Sequence, residues 1–289
     1  MWDFLLPTSV SVQCQLEKQL TPSVPSFPQP IPDRCTSPEG FKISSPPSTI
    51  SIRMNTARIA ELLEPFLGPA NGHQRLTTND LLNISIYIDL LLRWNARINL
   101  TAIRKEEEIV TRHFGESLFA ARQLFPARTT LAQPAKPALS EVEGAVQAEH
   151  SSASTRVIDI GSGAGFPGLP IKIWAPHINL TLIESNQKKA TFLREMARSL
   201  TLTNINVFAG RAEAYSNPPA NVVTLRAVEH FEAVLPVAVR LVAPGGRLAL
   251  LIGQAQLTQA HNLAPELVWT PPIPIPLSTS RVLAIGVRQ

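Results

Sequence analysis

The chain has 289 residues, with 26 Lys plus Arg against 22 Asp plus Glu for a net charge of +4, and is 44% hydrophobic and 17% charged. That length allows one large domain or two small ones, and the composition allows a packed core. No run of apolar residues is long enough to span a membrane, and no basic stretch precedes the first apolar residues as a secretory signal requires. The two cysteines, Cys14 and Cys35, are too few for a disulfide scaffold or a cysteine-built metal site. The expectation is a cytoplasmic, monomeric α/β protein without metal or membrane attachment, whose mild basicity permits a nucleic-acid partner.

Residues 1–53 hold nine prolines and nine serines, balance their charges, and show neither helical nor strand periodicity. They read as a disordered Pro/Ser-rich extension, an inert leader in preference to a partner-binding tail. Met54 opens an amphipathic segment, and the domain, and even the natural start, is expected there. Residues 54–128 read as a helical part. From Asn79 to Asn95, the positions Leu81, Ile84, Ile88, Leu91, Leu92 and Asn95 fall three or four apart on one helical face, with Thr78 or Asn79 as the cap. A short helix then follows the run Trp94-Asn-Ala-Arg-Ile-Asn-Leu-Thr-Ala-Ile103. Residues 129–155 read as a flexible insertion, because so long a patternless stretch is uncommon inside a compact domain. Its own charge is −2 (Lys136 against Glu141, Glu143 and Glu149), which leaves the rest of the chain at +6.

From Arg156 strands and helices alternate. Strands are predicted at Arg156–Ile160, Asn179–Glu184, Ile205–Phe208, Asn221–Arg226 and Arg247–Ile252. Helices are predicted through Ile171 and Trp174, after Asn186 (with Phe192, Leu193, Met196 and Leu200 inward), and near Phe231–Leu241. This alternation predicts a Rossmann-like doubly wound, mostly parallel sheet over residues 156–289. Val282–Val287 is expected to add a last strand, antiparallel and at an edge.

Ligands of such sheets sit at the carboxyl ends of the strands, beside the first strand–helix turn. There, Gly161, Gly163 and Gly165 permit close backbone approach. The turn fits two patterns. Gly163-Ala-Gly-Phe-Pro-Gly168 matches the dinucleotide motif; Asp159-Ile-Gly-Ser-Gly-Ala-Gly165 matches that of methyltransferases using S-adenosylmethionine (SAM). Pyrophosphate needs free N–H groups at the helix start, and Pro167 and Pro170 remove two of them. SAM carries no phosphate. Glu184, ending the second strand, is the expected acceptor for ribose hydroxyls of either cofactor.

The acceptor chemistry is narrowed by what is missing. Carbon-5 methylation of pyrimidines needs a cysteine nucleophile, and both cysteines lie in the leader. Adenine amino methylation commonly uses an Asn/Asp-Pro-Pro-aromatic loop after the fourth strand. Asn217-Pro-Pro-Ala220 lacks the aromatic residue and precedes that strand. A bare lone pair such as guanine N7 needs neither device, only alignment with the methyl carbon and sulfur. Phosphate contacts are available from Arg112, Lys188, Lys189 and Arg194 among other basic residues. His113 reads as a packing or hydrogen-bonding residue before a catalytic one.

The blocks Trp94–Ile103, Arg112-His-Phe-Gly-Glu-Ser-Leu118, Asp159–Pro170, Glu184-Ser-Asn-Gln-Lys-Lys-Ala-Thr-Phe-Leu-Arg194, Gly210-Arg-Ala-Glu213 and Arg226-Ala227 together closely resemble the bacterial small-subunit rRNA guanine-N7 methyltransferases, the RsmG (GidB) family. The resemblance covers Met54 to the end apart from 129–155. It implies a class I SAM-dependent methyltransferase acting on N7 of a guanine in the 530 loop of 16S rRNA, the position usually called 527, with 16S rRNA or the small ribosomal subunit as partner. It further implies that Gly161 and Phe166 line the SAM site, that Ala212 and Glu213 meet the adenine end, and that Arg226 sits at the site floor, near cofactor or acceptor, as a cofactor-binding residue and the one catalytic candidate. The alternative for Arg226 is a charge pair with a nearby carboxylate. Glu116-Ser117 departs from the family's usual Asp-Ser, and neither the leader nor the insertion is typical of the family. The residues alone also leave open a methyltransferase with another acceptor, an NAD-linked oxidoreductase, and a SAM- and RNA-binding protein without turnover.

Overall fold

The computed structural model describes residues 54–68, 76–126 and 155–289. The leader and the 129–154 part of the expected insertion lie outside them.

Helix α1 (Thr56–Leu67) is capped by Asn55, whose side chain accepts from the Ala57 N–H. Helix α2 (Thr78–Asn95) starts one residue earlier than the sequence suggested. Its cap is Thr77, which exchanges bonds with Asp80 in a capping box. Thr78 and Asn79 are therefore the first helical residues, because Asp80 stands three after Thr77, where its carboxylate can reach back to the cap N–H. The expected face of α2 is inward: Ile84, Ile88, Leu91 and Asn95 are buried, and so is Tyr87. A short α3 (Glu106–Glu108) runs into a π-helical turn, Ile109–Gly115, and then into α4 (Glu116–Leu124).

The sheet follows. Strands β1 (Arg156–Ile160), β2 (Asn179–Glu184), β3 (Ile205–Ala209), β4 (Ala220–Arg226) and β5 (Val242–Gly253) are parallel. They alternate with α5 (Gly168–Trp174), α6 (Gln187–Ser199) and α7 (Phe231–Leu241). The spatial order β3-β2-β1-β4-β5 places the reversal of strand order between β1 and β4, where doubly wound sheets bind ligands. Beyond α8 (Leu257–Leu263) come β6 (Leu267–Trp269), β7 (Ile273–Pro274) and β8 (Arg281–Arg288). The last strand is antiparallel to β5 as expected, but it is interior, since β6 pairs with its other side and extends the sheet. Its near-continuous burial from Val282 to Ile285 fits a central strand. The three-residue β6 was too short to show a period in sequence.

Two cores flank the sheet. One face is covered by α7 and α8 through Phe231, Leu235, Ala238 and Ala260. The other is covered by α1, α2, α4, α5 and α6 in one continuous cluster that includes Phe66, Tyr87, Phe114, Trp174 and Phe192. The helical N-terminal part and the sheet therefore share a core. Trp174, fully buried, ties them further: its indole N–H donates to the Phe125 carbonyl at 3.0 Å. Burial of a side chain this large contributes upwards of about 2 kcal/mol. Behind the same helix, the buried Lys172 donates to the Pro176 and Ile178 carbonyls at 2.7 and 2.6 Å. Burial lowers its pKa to about 8.

Candidate active site

The carboxyl ends of β1, β2, β3 and β4 meet around one cleft of about 750 Å³. Its wall includes Gly161, Gly163 and Phe166 from the turn after β1, Glu184 from β2, Ala212 and Glu213 after β3, and Arg226 at the end of β4. All the residues expected at a cofactor site are therefore brought together. Among the basic residues, Lys189, in the first turn of α6, also lines the cleft; Lys188 beside it is exposed. Both of their backbone N–H groups are capped by Asn186 Oδ1. Arg112 stands behind the wall on Glu116, and Arg194 faces a separate hollow with Arg198 and Ile205. Arg194 is thus not part of the cleft; two helical turns separate it from the strand ends.

The glycine turn has few N–H groups left to offer. Gly161 and Ser162 donate to Ile183 O, Gly163 to Glu184 Oε2, Gly165 and Phe166 to Ser162 O, Gly168 to Asp159 Oδ2, and Leu169 to Gly165 O. A row of unpaired donors for pyrophosphate is missing, which weighs against the dinucleotide pattern. Gly161 has φ +67, and a Cβ there would lie 2.6 Å from Val228 Cγ1. The β4–α7 loop thus closes down on the turn, with Ala227 and His230 both at positive φ. Gly165 has φ +90, and its Cβ would lie 2.3 Å from the Tyr87 hydroxyl. That hydroxyl donates to Ala164 O at 2.6 Å, so α2 holds the turn directly.

Glu184 is 6% exposed, and its oxygens accept from Gly163 N–H and Asn186 N–H, both at 2.8 Å. Each carboxylate oxygen keeps a second lone pair, so the group can still accept hydroxyls from the cleft. Asp159, which opens the methyltransferase pattern, points away from the cleft. It is fully buried, accepting from Thr224 Oγ1 and Gly168 N–H. Burial raises its pKa to about 6 against the lowering effect of those bonds.

Arg226 stands at the cleft and is also charge-paired. It lines the cleft, yet its guanidinium pairs with Glu116 at 3.0 Å and also donates to the Arg112 carbonyl and to His113 Nδ1. Glu116, 1% exposed, takes Arg226, Arg281 and, less closely, Arg112. One carboxylate against three guanidiniums leaves net positive charge beside the cleft. His113 stacks on Phe166 with ring centroids 4.7 Å apart. Its pKa falls to about 3, through burial first and then the nearby Arg226, Arg112 and Arg281. It is a neutral, packed and hydrogen-bonded histidine, as expected. Sequence reasoning missed Tyr87, Arg281 and Thr101. Thr101 lines the cleft with its backbone held by Asn95. The signal was Asn95, a polar residue on an otherwise apolar helical face; nothing in the sequence marked Arg281. Among the described residues, no group of three or more His, Cys, Asp or Glu could hold a metal, and no helix is long and apolar enough to cross a membrane.

The strand order, the glycine turn and the acid ending β2 define a class I methyltransferase-type fold with its ligand cleft at the usual edge. Comparison with known proteins narrows the class. The family model described as rRNA small subunit methyltransferase G (GidB) matches residues 80–132 and 141–270, and the chain belongs to that family. The ribosomal RNA small subunit methyltransferase G of Xanthomonas euvesicatoria pv. vesicatoria (strain 85-10) is 39% identical over 201 residues, 69% of this chain and 82% of its own length. That of Streptococcus pyogenes serotype M12 (strain MGAS2096) is 34% identical over 184 residues, 61% and 68%. Among solved structures the likeness is looser. M. jannaschii TYW2 in complex with AdoMet aligns over 46% of this chain at 13% identity and a TM-score of 0.39, too far for anything about ligand or reaction to transfer.

Proposed function

We propose that this chain methylates N7 of a guanine in the 530 loop of 16S rRNA, the position usually called 527, with SAM as methyl donor. Membership in the rRNA methyltransferase family supports the reaction class and the RNA substrate. The observation that carries the cofactor assignment is the glycine turn itself, whose N–H groups are mostly taken by Ile183 O, Glu184 Oε2, Ser162 O and Asp159 Oδ2 and so leave hardly any for a pyrophosphate. Glu184, buried at the end of β2, keeps lone pairs for the ribose hydroxyls. Gly161 and Phe166 then border the cofactor, Ala212 and Glu213 meet its adenine end, and Arg226 stands on the acceptor side.

When bound, SAM would be held by Glu184 at its ribose and by Gly161, Phe166, Ala212 and Glu213 along the cleft, and would supply a sulfonium methyl group to the N7 lone pair, the C–S electron pair leaving with a neutral thioether and the positive charge ending on the purine. No proton leaves, so the protein need only align the reactants and keep water out. The cleft fits this demand: its histidine is held neutral and fully hydrogen-bonded, a poor general base at pH 7. The surplus positive charge around Glu116 and the exposed Arg112, Arg104 and Lys188 favour a polyanion at the rim.

Thermal melts with SAM and with NAD discriminate the cofactors. Ligand at about a hundred times its Kd adds roughly 2.7 kcal/mol of stability. SAM is expected to raise the Tm and NAD to leave it unchanged; the reverse would move the oxidoreductase reading forward. Nucleoside analysis of small-subunit RNA after incubation with labelled SAM is expected to show N7-methylguanine as the sole labelled nucleoside.

A further inference from the structure

Thr101 is held more firmly than a surface threonine needs to be. Asn95, buried at the end of α2, accepts from the Thr101 N–H at 3.0 Å and donates to the Thr101 carbonyl at 2.9 Å. The Thr101 side-chain oxygen lies 2.8 Å from His113 Nε2 and accepts from the Ile103 N–H at 3.1 Å. Thr101 also stands where the large cleft adjoins a second hollow bordered by Asn99, Ala102 and Arg104.

The direction of the His113 bond follows from Arg226. A guanidinium only donates, so His113 Nδ1, 3.1 Å from Arg226 Nη2, is an acceptor. A neutral imidazole then carries its proton on Nε2 and donates it to Thr101. Burial and three nearby arginines keep the ring neutral. The Thr101 oxygen thus receives two N–H bonds, which fill both lone pairs, and its own O–H remains to be placed. Among the described residues no protein acceptor takes it. With Arg226 Nε serving Glu116 and the two Nη2 N–H groups serving Arg112 O and His113 Nδ1, the His113 proton falls on Nε2, and in that tautomer the Thr101 hydroxyl has both lone pairs engaged and its O–H to donate.

We propose that the Thr101 hydroxyl donates to O6 of the target guanine and is the residue that selects guanine over adenine. This rests on the guanine-N7 methyltransferase reading above. O6 is the acceptor next to N7 on the same purine edge, and N7 itself must stay free for the methyl group. Adenine presents an amino donor at that position. A hydroxyl with both lone pairs filled cannot receive it, so two donors would face each other. Sites built to hydrogen-bond one substrate group reject analogues that lack it, because the protein group is left unpaired. Arg104, which borders the adjoining hollow, can meet a phosphate on the approach to Thr101 but offers no base discrimination.

The test uses the full chain and small subunits assembled with ligated 16S rRNA carrying guanine, hypoxanthine or 2-aminopurine at the target position. Hypoxanthine keeps O6; 2-aminopurine keeps N7 and loses O6. Wild type is expected to methylate guanine and hypoxanthine alike and 2-aminopurine about tenfold less. Thr101→Val is expected to lose about tenfold on guanine and to level guanine with 2-aminopurine, while Thr101→Ser keeps the preference. A SAM-induced rise in Tm verifies that each variant is folded. The wild-type preference needs no variant at all, so the idea stays testable even if Thr101→Val fails to fold. Equal methylation of guanine and 2-aminopurine by wild type, or an undiminished preference in Thr101→Val, would overturn the contact and leave the methyltransferase reading standing. No methylation of any target by wild type would overturn both.

Discussion

Tyr87 and Gly165 offer the sharpest mechanical test of how the N-terminal helices hold the cleft. An alanine at 165 would place its Cβ 2.3 Å from the Tyr87 oxygen and 2.6 Å from Leu169 Cδ1, on a backbone with φ +90. The left-handed conformation costs an L-residue about 1–2 kcal/mol, and overpacking adds about 1–3 kcal/mol. Gly165→Ala is thus expected to destabilise by about 2–5 kcal/mol, lowering the Tm by about 2–4 °C per kcal/mol. Tyr87→Phe alone loses the 2.6 Å bond to Ala164 O, worth about 1 kcal/mol. In the double variant the oxygen is gone, so the nearest collision disappears while the φ strain and the Leu169 contact persist. The two costs should therefore fall short of additive by about 1–2 kcal/mol. Urea unfolding of all four proteins measures this coupling. Additivity within about 0.5 kcal/mol would mean that the hydroxyl does not occupy the space over Gly165, and the proposed grip of α2 on the turn would be wrong.

Other outcomes follow from the same geometry. Glu116→Ala leaves Arg226 and Arg281 without their acid and should cost about 3–5 kcal/mol in urea unfolding. Glu184→Ala removes the acceptor of two backbone N–H groups and of the ribose; equilibrium binding should show SAM affinity down at least about tenfold. His113 has a folded pKa of about 3 against 6.5 unfolded, so the unfolded chain binds the extra proton and stability is lost as pH falls from about 6.5 toward 3. In kinetics the same histidine stays neutral, so kcat should show no limb near pH 6.5. Asp159 works in the opposite sense, with a folded pKa of about 6 against 3.8. The stability it lends is full below about pH 4 and is lost as pH rises through 6, and Asp159→Asn should remove that slope.

Periodicity made the sheet legible. β1, β2 and the buried face of α6 are where their apolar residues put them, and Asn186 caps α6 as its position before Gln187 implied. The cleft was legible too, because its walls are strand ends, and strand ends can be counted along a sequence. What stayed hidden depends on contacts between distant segments. Glu116 and Arg281 lie far apart in the chain, and only the packing of α4 against the sheet's β4–β5–β8 region brings them together. The interior place of β8 depended on β6, whose three residues carry no period. Thr101 required the hydrogen-bond direction at His113, which needs Arg226 in position first.

Methyl transfer to one guanine is open to direct measurement. The most direct measurement incubates the full chain and labelled SAM with small subunits and 16S rRNA from a strain lacking the family enzyme, and maps the labelled base. The expected product is N7-methylguanine in the 530 loop, abolished by Gly161→Asp, whose side chain would enter the 2.6 Å approach to Val228. Label at another base or position, or none at all while SAM still binds, would contradict it.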